Sequence, residues 1–208
     1  MTRHEMSSKG ADVVKPVDAF LRDCVRVLLK EVGFSKRGRD FRLVATNGDL
    51  AAINFLSWRL GEREAEFYVD AGVSPLPWIE WREHVDAVQD ETSASALWWT
   101  RLRSPHNHLG LWQFNLDESE RIEELVTKLT SLAEKLRSLT DRRLLLNLVR
   151  DPATRIQELR RSRAESVALL LVDEGPSPEL AEALRAMEAE EDSDRRMVAW
   201  IRAKLSRY

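Results

Sequence analysis

The sequence predicts an α+β fold: an antiparallel sheet of about five strands with helices packed on one face, plus a helical C-terminal extension. Three observations lead there. Between residues 40 and 74 apolar and polar side chains alternate around an Asn-Gly pair, the pattern of strands joined by a tight hairpin. Apolar stripes at helical spacing flank this region. Beyond residue 139 only short helical stripes remain, so residues 1–139 read as the α+β domain and 140–208 as an extension docked on it.

The elements follow in order. Pro16 suits the first turn of a helix whose apolar positions are Val17, Phe20, Leu21, Cys24, Leu28 and Val32, and Gly33-Phe34 supplies its stop. "RDFRLVA" and "AAINFLSW" then read as strands joined through "TNGDL", and "RLGERE" turns into a third strand, "AEFYVDAGVS". A short helix enters through proline in "PLPWIEWREHVDAV", and "QDETSAS" is a polar loop. A strand from about Leu97 to Arg103 is expected to turn through "SPHNHLG" into another from about Leu111 to Leu116. Asp117 and Glu120 have the spacing of a capping box for a long helix striped by Ile122, Leu125, Val126, Leu129, Ala133 and Leu136.

The extension carries four short stripes and one strong breaker, "GPSP" at 175 to 178. Its thirteen basic and thirteen acidic residues cancel, and three or four short amphipathic helices bury little by themselves.

Composition narrows the function classes. A net charge of -3 over 208 residues argues against a nucleic-acid partner, whose phosphates call for a basic surplus. One cysteine, Cys24, permits no internal disulfide and no paired-cysteine zinc framework, which fits a reducing cytoplasm. The longest apolar block, "VALLLV", is far below the roughly 20 residues that span a bilayer, and the first residues lack a secretory apolar run. A soluble cytoplasmic chain with no membrane partner and no cofactor is expected.

At "LLKEVGFSKRGRDFRL", then "INF" and "FYVDAGVSP", the chain resembles the domain of unknown function 4304 family of bacterial proteins, over roughly residues 17 to 135. The resemblance implies an α+β fold with a helix leading through a Gly-Phe turn into a strand meander. It transfers no catalytic residue, because the family carries no established activity.

No catalytic set is organised in the sequence, and an enzyme is not expected. His106 and His108, two apart, would share a face of an extended segment and offer two metal ligands, with His84, Asp117 or Cys24 as third-donor candidates; a polar turn is the favoured reading. Cys24, on the apolar stripe, reads as an inert core thiol. Glu80, Glu83, Asp70 and Asp86 are unorganised acids, and the first two read as a solvated helix face beside His84. "GFSKRGRD" gathers Lys36, Arg37 and Arg39, which would suit a phosphate or carboxylate, although a solvated turn is favoured because no helix N-terminus follows it.

The tryptophans carry more. Alternation puts Phe41, Leu43, Ile53, Phe55, Phe67, Val69, Ala71 and Val73 on one sheet face, for the long helices to cover. The opposite face receives Val44, Leu56, Trp58 and Tyr68 with Arg42, Asn54 and Asp70, and one of Trp98 and Trp99 must join it. So apolar a face is either covered by the C-terminal helices, the favoured outcome, or is a docking surface. The expected function is a binding or protein-interaction protein with Trp58, Tyr68, Trp98 or Trp99 as anchors and Arg42, Arg59, Arg101 or Arg103 at the rim. A small-molecule site between sheet and C-terminal helices is the alternative, and a metal-dependent enzyme at His106 and His108 a second one.

Overall fold

The computed structural model describes residues 19–60, 64–86, 92–191 and 194–208, with the side chains of 57–60, 86 and 156 outside the described residues. It has the predicted α+β architecture. A π-helical turn, Leu21–Val25, runs into α1, Arg26–Glu31. The strands are β1 (Ser35–Arg37), β2 (Asp40–Val44), β3 (Leu50–Leu60), β4 (Glu64–Ser74), β5 (Trp98–Leu102) and β6 (Trp112–Asn115). Helix α2 (Leu76–Asp86) and a 3-10 turn, Ser93–Ser95, separate β4 from β5. The long helix α3 (Ser119–Leu139) is followed by α4 (Arg142–Arg150), α5 (Arg163–Leu171), α6 (Pro178–Ala189) and α7 (Arg195–Leu205).

The sheet is antiparallel throughout, in the order β1-β2-β3-β4-β5, with β6 also paired to β4. Here the expectation of a hairpin at residues 97 to 116 needs correcting. β5 and β6 do not pair with each other; β5 lies along Val69–Val73 and β6 continues along Glu64–Phe67 on the same edge of β4. They form one strand interrupted by a nine-residue excursion, residues 103–111. Strand-like alternation reports an extended backbone and not its partner, so an interrupted strand and a hairpin look alike in sequence.

The excursion is held by its own bonds. Ser104 N–H donates to the Gly110 carbonyl, Gly110 N–H to that of Asn107, and the Trp112 indole N–H to the Leu102 carbonyl at the base. Gly110 sits at φ 76 against the Arg103 side chain, a left-handed position that suits glycine.

The core face matches the predicted alternation: Phe41, Ile53, Phe55, Phe67, Val69, Ala71 and Val73 are all buried, and α3 lies along β3, β4 and β5 above them. Phe20, Phe55 and Phe114 all pack against Phe67, with ring centroids 5.5–6.3 Å apart. The buried apolar residues form one cluster that runs from Phe20 to Ile201 and so includes both the sheet and the C-terminal helices.

Two helix details differ from expectation. Cys24 is exposed, because the π turn adds a residue to the repeat and puts Phe20, Leu21, Val25 and Leu29 inside instead. Helix α3 starts at Ser119 with Glu118 at its cap position, one residue later than the Asp117/Glu120 spacing predicts. Glu118 instead turns a carboxylate oxygen to the Asn115 N–H.

Candidate functional site

The second face of the sheet is organised in cross-strand rows. Asp40, Asn54, Asp70 and Arg101 stand opposite one another across β2, β3, β4 and β5. The next row is Arg42, Ala52, Gly72 and Trp99, and on the other side Leu56 is opposite Tyr68. Period-two geometry requires these even-numbered positions of β3 and β4 to face away from Phe55 and Phe67.

Arg101 is the hub of this face. Its Nε and Nη2 donate to the two oxygens of Asp70 at 2.6 and 2.9 Å, a bidentate pair in which Asp70 is only 4% exposed. Its guanidinium lies 4.2 Å from the centroid of the Tyr68 ring and 5.6 Å from that of Trp99. Arg160, from the extension, stacks on Trp99 at 5.4 Å. Tyr68, Arg101, Trp99 and Arg160 thus form an alternating ladder of rings and cations. The hydrogen bonds to Asp70, working against burial, hold Arg101 above its usual pKa, so the ladder stays charged.

The C-terminal extension covers this face only in part. The connector before β5 closes one end: a side chain at Gly72 would collide with Ala96 and the Trp98 carbonyl and crowd the Ser93 carbonyl, and Ala52 and Ser74 are buried. The extension reaches the face through Arg160, where Leu159 bridges to Trp98 beside β5. At the other end Leu56 remains 45% exposed; Val44, 70% exposed, stands instead in the Leu50–Ser74 row beyond Gly72, on the β2 side. The Trp99 indole N–H and the Asn54 carbonyl oxygen are shielded and have no hydrogen-bond partner among the described residues.

The expected anchors divide accordingly. Tyr68, Trp99, Arg42 and Arg101 stand on the second face. Trp98 does not: it is opposite Val73, 1% exposed, with the Lys135 ammonium of α3 4.8 Å from its ring, so it belongs to the core. Of the adjacent pair, register sends Trp99 outward and Trp98 in. Arg103 lies beyond the end of β5, against Gly110, and is not part of the ladder. Trp58 and Arg59 fall where the side chains lie outside the described residues; the β3–β4 register shifts between Ser57 and Arg59, so simple alternation ends at Trp58.

The other candidate sites resolve differently. His106 Nε2 is 2.8 Å from Glu124 Oε2 on α3, which ties the excursion to the helix, and His108 is exposed. Among the described residues no group of three or more His, Cys, Asp or Glu could hold a metal ion. Glu83 is exposed as expected, and Glu80, itself partly exposed, bonds Lys204 of α7. Asp86 has its side chain outside the described residues.

Glu80 belongs to an ion network that the sequence reading missed. Asp49, fully buried in the Asn-Gly turn, accepts the Leu76 N–H at the start of α2 and Arg142 Nη2 at 2.7 Å. Arg142 also reaches Asp173, which pairs with Lys204 at 2.7 Å. Burial disfavours the Asp173 carboxylate, but hydrogen bonds from Lys204 and Arg142 outweigh it and hold its pKa below the usual value. This network clamps the extension to the sheet and α2. Its partners are up to 124 residues apart, so no local spacing could announce it.

Among the described residues no helix is long and apolar enough to cross a membrane. No protein-family model matches the chain, and neither the curated proteins nor the solved structures contain a match.

Proposed function

We propose that this chain is a binding protein without catalytic activity that takes a protein partner on the second face of its sheet. The observation that carries the reading is the exposed Leu56 beside the Tyr68–Arg101–Trp99 ladder, on the side away from α3. Rings and arginines held rigid by stacking lose little conformational freedom on contact, which is why such residues dominate interface energies. Leu56 supplies the apolar contact, Tyr68 and Trp99 the anchors, and Arg42 the polar rim.

A photo-crosslinking amino acid placed at Leu56 tests this in the cell of origin, with the exposed Leu144 on α4 as the control position. A discrete protein adduct is expected from position 56 and not from 144, and it should vanish in Tyr68→Ala. No adduct, or the same adducts from both positions, contradicts the reading.

A further inference from the structure

A second region of the molecule has the properties of a ligand site and shares no residue with the ladder. Helix α1 and the β1–β2 hairpin enclose a groove of about 620 Å³ lined by Arg26, Lys30, Phe34, Ser35, Lys36 and Gly38. Arg26 and Lys30, four residues apart, share one side of α1, and Lys36 comes from β1 across the groove. Phe34 is buried beneath them. No carboxylate lines the groove, although Lys36 acts electrostatically on nearby Asp23.

Several other cations of the chain are engaged by acids. Arg101, Arg142, Arg150 and Lys204 are each paired with an acid, in a protein whose net charge is -3. Nearby Asp23 is engaged by Arg22 at 2.7 Å. Three like charges facing a common space repel one another, and a bound anion relieves that repulsion. The sequence shows the hairpin cations only; the fold adds the two from α1. Gly38, at φ +64, has open space where a side chain would stand, so the groove mouth is clear.

We infer that this groove binds a small phosphate-bearing molecule through Arg26, Lys30 and Lys36. Two compact ammonium groups and one guanidinium fork approaching from different elements suit a tetrahedral phosphate, with acceptor oxygens on every side, better than a planar carboxylate. The volume admits a ligand larger than phosphate itself, with Phe34 offering an apolar floor.

Titration calorimetry of the full chain with inorganic pyrophosphate, at low ionic strength, tests the inference. Saturable binding is expected, with each of Lys30→Ala and Lys36→Ala weakening it about tenfold or more, as for a lost charge-assisted hydrogen bond. Arg143→Ala, at an exposed cation on α4, should leave it unchanged. A hundredfold excess over Kd should raise the thermal midpoint by about 5–10 °C. Three results would overturn the inference: no binding at millimolar pyrophosphate, equal affinity in the lysine variants, or citrate binding as tightly. Binding of heparin or duplex DNA without pyrophosphate binding would overturn it too, since it indicates a polymer surface.

Discussion

The two faces of one sheet are built from the same strands and end in opposite conditions. On the core face Phe55 and Phe67 are sealed under α3; one residue along β3, Leu56 is 45% exposed. The core face is closed by a helix whose own apolar stripe needed a partner. The second face is closed at one end by the connector over Gly72 and stiffened elsewhere by its own cation–ring contacts. A face can therefore be ordered without being covered. Burial alone places the ladder between interior and surface, and composition alone would have classed it with a greasy surface.

Substitutions at matched positions sharpen the contrast. The largest effect is expected from Phe67→Ala, which removes a ring packed among Phe20, Phe55 and Phe114 and should cost about 3–5 kcal/mol in denaturant unfolding. Asp70→Ala lies on the other face and leaves the Arg101 guanidinium without its bidentate acceptor. A loss of about 2 kcal/mol is expected, with a change in the fluorescence of the Trp99 environment, and a neutral result would mean that the ladder does not depend on the pair.

Acid should act on the clamp. The Asp173 carboxyl titrates below 3.8 in the folded chain, so its contribution is present above that value and is lost as pH falls through the folded pKa. Wild type should therefore lose thermal stability more steeply below about pH 4 than Asp173→Asn does. Parallel curves would show that the Lys204 and Arg142 bonds do not favour the charged form. The smallest effect belongs to Leu56→Asp, expected to shift stability by less than about 0.5 kcal/mol, since the side chain is solvated; a cost near that of Phe67→Ala would place Leu56 in a core.

The sequence made local periodicity legible, and with it α1, the β2–β3–β4 meander, the core face and the α3 stripe. It was silent wherever a second segment decides the outcome. Alternation at Trp98 and Trp99 said that they part company, but only the pairing of Trp98 with Val73 says which goes inside. Cys24 kept a helical spacing in the sequence and lost it to one π turn. Asp49 looked like a turn residue, and nothing nearby predicted that Arg142 would seek it out. Lys36 looked solvated until α1 brought Arg26 and Lys30 to the same groove.

The central claim is that something other than this chain occupies the second face. It is tested most directly by maleimide labelling of Leu56→Cys in a Cys24→Ser background, compared between the purified protein and the living cell, with Leu144→Cys as reference. The account predicts fast labelling of both positions in the purified protein and selective protection of position 56 in the cell. Equal labelling of position 56 in the two settings would contradict it.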